Sequence, residues 1–325
     1  MSDPSTASMV STRELDRPDA AGQADPGPPA GAQPPEKPRS LLGDAWHDLR
    51  RNPLFWVSAT LIVLFVVMAA FPSLFTSGDP INGALSRSRV GPSADGWFGY
   101  DLQGRDVFAR TIYGARASIV VALLATIGTL LFGGALGIVT GYRGGWLDSV
   151  LSRISDVFFG MPFMLGALVI LTTFNGADRD NSEYKIITMV TVTLVALSWP
   201  VVMRLMRSSV LAAKEADYVL AARALGASTS RIVLKHLLPN CLAPLLIYST
   251  IMVGSFIGAE ATLSFLGIGL KQPVVSWGIS IGESERYVQV SPHMVLFPCA
   301  FLVTAVISFV MLGEAIREAL DPKLR

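Results

Sequence analysis

Six apolar stretches dominate the pattern of hydrophobic and polar positions along the chain. Each is close to the length, roughly 20 residues, that an α-helix needs to cross the hydrocarbon of a bilayer with its backbone amides hydrogen-bonded internally. The sequence therefore predicts an all-α membrane protein with six transmembrane helices. The predicted spans are 54–75, 118–142, 150–174, 186–203, 241–259 and 294–313.

The third predicted span is the weakest of the six. Arg153 and Asp156 lie in its first turns, and Pro162 further along can kink a helix. Asp156 is the one acid well inside a predicted span, which makes it a candidate functional residue by default. Because Arg153 lies three residues earlier on the same helix, the favoured interpretation is a local ion pair near the cytoplasmic interface.

The second span carries a repeat of small residues. Gly133, Gly137 and Gly141 recur every four residues and so lie on one helix face. A smooth face of this kind lets a neighbouring helix approach closely. We expect it to pack within the subunit, which requires no contact with a substrate.

The N-terminal region divides into two parts. Residues 1–40 are rich in Pro, Ala, Gly and Ser, lack an apolar signal region and are predicted to be a disordered cytoplasmic tail. Residues 41–53 carry Leu42, Ala45, Trp46 and Leu49 on one helical face, after Ser40 as a possible N-cap. This pattern favours an amphipathic helix lying in the membrane interface over a water-exposed helix, in which Trp46 would be unburied.

Composition supports an integral membrane protein and excludes several other classes. Hydrophobic residues make up 51% of the chain, charged residues 16%, and the mean hydropathy is +0.49. The net charge of +1 and the lack of a basic stripe or RNA-binding motif argue against binding to nucleic acid. Cys241 and Cys299 have no partner at metal-binding spacing and are interpreted as small apolar residues.

The distribution of Lys and Arg predicts the orientation. With the N-terminus inside, 17 of the 26 basic residues fall on the inner side of six spans, which favours both termini in the cytoplasm. The segment at about 211–239 is then a cytoplasmic loop. The segments at about 76–115 and 264–292 are extracytoplasmic loops.

The cytoplasmic loop has the pattern of a short helical hairpin. Tyr218, Ala221, Ala222 and Leu225 share one helical face, and Gly226 follows where a left-handed C-cap would end the helix. Ser228 or Thr229 can cap a second helix that runs towards Pro239. On spacing alone, an ordinary amphipathic connector is the favoured interpretation.

Several motifs nevertheless resemble one transporter family. AARALG followed by HLLPN is similar to the EAA loop of ATP-binding-cassette importer permeases, with Leu220 where the motif has Glu and His236 where it often has Ile. GYDLQGRD at 99–106 and LSFLGIGLKQPVVSWG at 263–278 resemble signatures of the dipeptide/oligopeptide/nickel branch. RRNPL before the first span and LDPKLR at the end resemble the branch's C-type permease. The resemblance covers about residues 41–325.

This resemblance implies a type I ABC importer permease fold and a set of functional residues. In the family, the short helix is a coupling helix that docks on the ATPase. The implied coupling residues are Asp217, Tyr218, Ala221, Ala222, Arg223, Leu225 and Gly226, followed by His236, Leu238 and Pro239 before the fifth span. The implied contacts with a binding protein or the translocation path are Asp101, Gly104, Arg105, Asp106, Phe265 and Trp277. For the second outer loop, a structural re-entrant segment is nearly as well supported.

The resemblance also implies partners in a bacterial plasma (inner) membrane. These are a homologous second permease forming a heterodimer, two ABC ATPase subunits or domains, an extracytoplasmic solute-binding protein and membrane lipid. No Lys follows a Gly in this chain, so a phosphate-binding loop is lacking, and we expect ATP and Mg to be bound by the partner subunits. The three histidines are isolated and predict no metal site. The chain is expected to be a non-catalytic subunit.

Alternative functions remain at this point. The same branch imports nickel or haem as well as peptides. An ion-coupled secondary transporter would need a charged site at the bilayer midplane, and the sequence shows no midplane acid and no inverted repeat. An intramembrane protease would need a nucleophile and a base inside adjacent spans. The predicted spans contain no histidine that could act as the base, apart from His293 at the edge of the sixth span.

Overall fold

The computed structural model describes residues 41–175 and 182–320, and in this part of the chain the ordered elements are helices. The predicted tail, the Ser40 cap and the last five residues lie outside the described residues. Ten helices are described: α1 (Leu41–Arg51), α2 (Pro53–Ala70), α3 (Val107–Arg143), α4 (Gly145–Gly160), α5 (Phe163–Asn175), α6 (Glu183–Ala213), α7 (Asp217–Ala224), α8 (Thr229–Phe265), α9 (Trp277–Ser284) and α10 (His293–Leu320). Short 3₁₀ turns occur at Pro72–Leu74, Leu85–Arg87 and Glu285–Tyr287.

Five of the described helices are long and apolar enough to cross a membrane, namely α2, α3, α6, α8 and α10. The third predicted span is not a continuous helix. It consists of α4 and α5, which are bent by 94° relative to each other. Met161 between them has φ −91° and ψ 125°, because the ring of Pro162 disfavours the helical conformation of the preceding residue. The described chain therefore has six spans only if this bent pair counts as one.

Most spanning helices extend beyond the apolar stretches that predict them. Thus α3 begins at Val107 rather than near residue 118, because the Asp106 side chain caps it by accepting from the Phe108 N–H at 2.8 Å. The first span is shorter than predicted. It begins at Pro53 behind an Asn52 cap and ends at Ala70, two residues before Pro72.

The glycine repeat on α3 packs within the subunit, as the sequence predicts, and its partner is α6. A Cβ atom built on Gly133 would lie 2.6 Å from the Trp199 carbonyl oxygen, and one on Gly137 would lie 2.6 Å from that of Met203. Gly141 continues the same contact towards the Arg207 carbonyl, at 3.0 Å. These distances leave no room for a side chain, so the two helix backbones are in direct contact.

The α1–α2 junction lies beside the end of α10. The Asn52 side chain donates to a Glu318 carboxylate oxygen at 3.4 Å, so α1 and the C-terminal end of α10 are on the same side of the bundle. Trp46 on α1 packs edge-on against Phe55 with ring centroids 6.2 Å apart, although about half of its surface is exposed.

Candidate coupling surface and outer loop cluster

The predicted hairpin is formed by α7 and the beginning of α8. Only Lys214, Glu215 and Ala216 separate α6 from α7. Gly226 ends α7 with φ +79°, and the Ala227 N–H returns to the Ala222 carbonyl at 3.0 Å. This is the left-handed C-cap that the sequence predicts, a conformation that favours glycine.

One side of α7 is anchored and the other is open. Val219 is completely buried, whereas Leu225 is 88% exposed and Tyr218 and Leu220 are each more than 40% exposed. Asp217, Ala221 and Arg223 are also exposed, and Ala222 is half-buried. The structure therefore brings the predicted coupling residues from Asp217 to Arg223 together on one short helix with a mostly uncovered surface, and Leu225 and Gly226 lie at its C-terminal end.

The second helix of the hairpin continues without interruption into a spanning helix. Ser228 occupies the N-cap position, but its side chain makes no capping hydrogen bond. Residues Ile232–Leu237 are wound as a π-helix immediately before Leu238 and Pro239, and the proline cannot donate a backbone hydrogen bond. His236 lies in this stretch, and its carbonyl accepts from the Asn240 side chain, which also donates to the Tyr218 hydroxyl at 3.2 Å. These bonds tie α7 to the base of α8.

The two loops that the sequence predicts to be extracytoplasmic, called the outer loops below, are joined by a largely buried ion-pair cluster. It consists of Asp101, Arg105, Arg110 and Glu283, and we call it the outer cluster. Asp101 accepts from Arg105 Nε at 2.6 Å and also from the backbone N–H groups of Gln103 and Arg105, both at 2.9 Å. Arg105 and Arg110 both donate to the same oxygen of Glu283 on α9, at 2.6 and 3.0 Å. The cluster fixes the loop before α3 onto α9.

Two further residues of this first outer signature have local structural roles. Gly104 has φ +71°, and a Cβ built there would overlap the Ala84 carbonyl, so only glycine fits. Asp106 caps α3. Of the predicted contacts in this loop, Asp101, Gly104 and Arg105 are buried within the chain and Asp106 is half-buried.

The two candidates in the second outer loop differ in exposure. Trp277 is fully buried at the start of α9, and its Nε1–H donates to the Thr111 carbonyl at 2.8 Å. Phe265 ends α8 and is 38% exposed. In this conformation Phe265 is accessible to a partner and Trp277 packs inside the subunit.

One buried acidic residue is not among the candidates that the sequence indicates. Glu260 lies on α8 and is completely buried, with Oε1 accepting from the Ser264 hydroxyl at 2.8 Å and with Ser118 and Ser276 beside the carboxyl group. It was missed because the fifth span was predicted to end at residue 259. The run of small and apolar residues that continues to Phe265 was the signal that would have placed it inside the helix.

Asp156 has a different main partner from the one expected. Its Oδ2 lies 3.8 Å from Arg153, as a local pair predicts, but its Oδ1 accepts from Arg204 of α6 at 2.5 Å. Asp148, Arg204 and Arg207 also form contacts between α4 and α6 that the sequence did not indicate, because they depend on the position of the bend.

Titratable groups elsewhere in the described segments do not form a metal site. No group of three or more His, Cys, Asp or Glu side chains in residues 41–175 and 182–320 is arranged to hold a metal ion.

In the first outer loop, three hydrogen bonds lower the pKa of Asp79. The bond from the Asn82 backbone N–H has the largest effect, followed by those from the Asn82 side chain and the Ile81 N–H. Asp79 thus stays charged under more acidic conditions than a free aspartate.

Comparison with known families gives two matches. Residues 133–325 match the model of the binding-protein-dependent transport system inner membrane component. Residues 40–90 match the N-terminal TM domain of oligopeptide transport permease C. Together the two matched segments include α1, α2 and every described helix from α4 onward.

Similar proteins span nearly the whole chain. The dipeptide transport system permease protein DppC of Alkalihalophilus pseudofirmus is 36% identical over 301 residues, which are 92% of this chain and 96% of the relative. The oligopeptide transport system permease protein OppC of Bacillus subtilis is 36% identical over 89% of this chain and 92% of its own length. The glutathione transport system permease protein GsiD of Escherichia coli O157:H7 is 31% identical over 90% of this chain and 93% of its own length.

A solved structure shares the fold. Inward-facing structures of the MetNI methionine ABC transporter include a chain that matches with a TM-score of 0.50 at 21% identity, over 65% of this chain and 96% of that chain. The family model, the similar permeases and the arrangement of spanning helices agree. The chain belongs to the family of binding-protein-dependent transport system inner membrane components.

Proposed function

We propose that this chain is one of two permease subunits of an ATP-driven importer of di- or oligopeptides, inserted in a bacterial inner membrane with both termini in the cytoplasm. The cargo class is supported by relatives that are named for dipeptide and oligopeptide transport. Nickel or haem is the alternative cargo within the same branch, and a separate binding protein would make that choice.

The observation that carries the proposal is the position of α7 between two spanning helices. Three residues join it to α6, and Gly226 turns it directly into α8. Its open side presents Tyr218, Leu220 and Leu225, while Val219 holds the opposite side. A surface that is small, stiff and continuous with two spans transmits a rigid-body movement to both. This suits docking of α7 on an ATPase subunit.

The remaining components of the importer would come from partner subunits. ATP and Mg would be bound by two ATPase subunits or domains, and a homologous second permease would complete the pathway. An extracytoplasmic binding protein would deliver peptide to the outer loops, where Phe265 is the accessible member of the candidate residues. This chain itself would perform no covalent chemistry. Closure of the ATPase pair would draw the two coupling helices together and tilt the spans.

Reconstitution of the complete complex tests this proposal. The permease pair, the ATPases and the binding protein would be placed in lipid nanodiscs, and ATP hydrolysis would be measured with dipeptides, longer peptides, Ni²⁺ or haem. We expect stimulation by peptide-loaded binding protein. Stimulation by Ni²⁺ or haem alone would overturn the cargo assignment.

A parallel assay in proteoliposomes tests the source of energy. We expect peptide uptake to require ATP and the ATPase subunits, and to be unaffected when ion gradients are collapsed. Uptake by this chain and its permease partner without ATPases, driven by a proton or sodium gradient, would instead establish an ion-coupled transporter.

A further inference from the structure

The helix α4 has little apolar attachment to the rest of the described chain. Only Ser155 of its 16 residues is buried. One apolar contact joins it to α6, where Phe158 packs edge-on against Trp199 with ring centroids 5.5 Å apart. The large apolar side chains at positions 146, 150, 154, 157 and 159 are between 42% and 73% exposed. Since little of its apolar surface is buried, the position of α4 against α6 depends largely on a small number of specific polar contacts.

Two arginines of α6 provide the main polar contacts. Arg207 forms a two-pronged interaction with Asp148, with distances of 2.5 and 2.7 Å from Nε and Nη2 to the two carboxylate oxygens. Paired hydrogen bonds of this kind fix orientation as well as distance. The Asp148 side chain is 20% exposed and that of Arg207 34% exposed, so water partly screens the pair.

The second contact uses three groups on α4. Arg204 donates to Asp156 through Nη2 at 2.5 Å and to the buried Ser155 hydroxyl through Nε at 3.2 Å. Its guanidinium carbon also lies 4.0 Å from the centre of the Phe159 ring, a cation–π distance. A planar guanidinium can make all three contacts at once, whereas a lysine could not.

The spacing of the pairs shows how the helices cross. Asp148 and Asp156 are separated by about 12 Å along α4, but Arg204 and Arg207 by only about 4.5 Å along α6, at 1.5 Å per residue. The order is also reversed, because the earlier aspartate contacts the later arginine. Two separated contacts on crossing helices prevent α4 from pivoting on α6. A single contact would permit that rotation.

Both helices lead to parts that would move during transport. α6 connects through three residues to α7, and α4 connects through Met161 and Pro162 to α5 at the 94° bend. We propose that the Asp148–Arg207 and Asp156–Arg204 contacts, here called the α4–α6 joint, make α4 move with α6 and so transfer displacement of α7 to the bend before α5. The two arginines are positioning residues. This inference rests on the proposed function.

Charge reversal tests the joint in the reconstituted complex. The variants are Asp148→Arg, Arg207→Asp and the double exchange, and the same set for Asp156 and Arg204. We expect each single reversal to lower the amount of peptide imported per ATP hydrolysed by about tenfold, and each exchange to restore it to within about threefold, because a restored attraction replaces a like-charge contact. Glu314→Arg on α10, opposite the exposed Arg317, is the matched control and should leave the ratio unchanged.

The outcomes of this experiment are distinct. Restoration by the exchanges supports the joint, because a merely damaged subunit would not recover. Wild-type coupling in the single reversals would overturn it. Exchanges that assemble normally but stay as impaired as the single variants would overturn it too. Assembly is measured by co-purification with the ATPases.

A crosslink tests whether the joint stays closed. With Cys241 and Cys299 replaced by alanine, Asp148→Cys and Arg207→Cys would be joined in the complex by a short bis-methanethiosulfonate crosslinker that a reductant cleaves, because a direct disulfide would not span a contact made through the end of an arginine side chain. Transport that continues with the crosslink formed supports joint movement of α4 and α6, and transport that stops until the crosslink is reduced overturns it.

A second measurement is independent of cargo. Spin labels on Val157→Cys and on Glu215→Cys, an exposed position just before α7 and outside the predicted coupling residues, report the distance between α4 and the start of α7 with and without ATP and vanadate. We expect a constant distance, and a nucleotide-dependent change would contradict the joint. Because no peptide is required, failure of peptide import would count against the proposed function alone.

Discussion

Arg105 and Glu283 are 178 residues apart in sequence, yet Arg105 Nη2 lies 2.6 Å from Glu283 Oε2. Arg110 donates to the same oxygen, and both arginine side chains are about 5% exposed. One carboxylate therefore contacts two buried cations, Arg105 from the loop before α3 and Arg110 from the first turn of α3. This arrangement explains why the first outer signature carries both acidic and basic residues close together.

Glu283→Ala should destabilise the outer cluster. The substitution leaves Arg105 and Arg110 with only Asp101 as a carboxylate partner, so we expect a loss of about 2 to 3 kcal/mol in the free energy of unfolding, below the usual cost of breaking a fully buried pair because the Glu283 side chain is 25% exposed. Thermal unfolding in nanodiscs would measure it. Glu285→Ala, two residues away and exposed, should have a small effect, and equal losses in both variants would contradict the role of the cluster.

Gly226→Ala should separate coupling from folding. The positive φ of Gly226 costs a residue with a Cβ about 1 to 2 kcal/mol, which would shift the end of α7. We expect normal insertion but reduced ATPase stimulation by loaded binding protein. Gly144→Ala is the strain control, because Gly144 also has a positive φ and open space around it, and its ψ of −150° makes the same substitution at least as costly there. Equal loss of stimulation in both variants would show that backbone strain alone explains the defect.

Leu225→Asp should weaken docking of the ATPase. Leu225 is 88% exposed in the isolated subunit, so the substitution should leave subunit stability nearly unchanged. Burying an aspartate in an interface should weaken ATPase binding by about 1 to 3 kcal/mol, measured by titration of purified ATPase. Val290→Asp, 73% exposed in an outer loop, is the control. Unchanged ATPase affinity for Leu225→Asp would place the docking surface elsewhere.

The sequence predicted the helices better than their junctions. The lengths of the apolar stretches alone predicted the approximate positions of α2, α3, α6, α8 and α10, because a helix in lipid must satisfy its own backbone hydrogen bonds. The glycine repeat on α3 also predicted close packing, since its spacing is a local property of one helix. By contrast, Pro162 indicated a possible kink but not its angle of 94°.

Among the site residues, too, local features could be predicted from the sequence and contacts between distant positions could not. The position of Gly226 after a helical face identified a C-cap correctly, because the signal is contained within a few residues. The contact of Asp156 with Arg204 joins positions 48 residues apart and depends on how the bent pair lies against α6. A single sequence contains no information on that placement. Whether the coupling residues contact an ATPase stays a prediction.

Gly137→Val should disrupt the contact between α3 and α6. A Cβ at this position would lie 2.6 Å from both the Met203 carbonyl oxygen and the Met206 Cβ, so the helices would have to separate. We expect a loss of about 1 to 3 kcal/mol in unfolding free energy, measured by thermal unfolding of the purified subunit. Gly258→Val in α8 has open space in the same test and should be tolerated. A stable Gly137→Val variant would contradict the close approach.

Glu260→Gln distinguishes hydrogen bonding from ion translocation. Glutamine retains the shape of the buried side chain and can accept from the Ser264 hydroxyl, so we expect a change in unfolding free energy below about 1 kcal/mol, whereas Glu260→Ala also creates a cavity and should cost about 2 to 4 kcal/mol. ATP-driven uptake should therefore persist in Glu260→Gln. In an ion-coupled transporter the same variant would lose the one fully buried acid of the described spans, and uptake would stop although the subunit remained stable. Uptake in proteoliposomes, compared with thermal unfolding of both variants, decides between these outcomes.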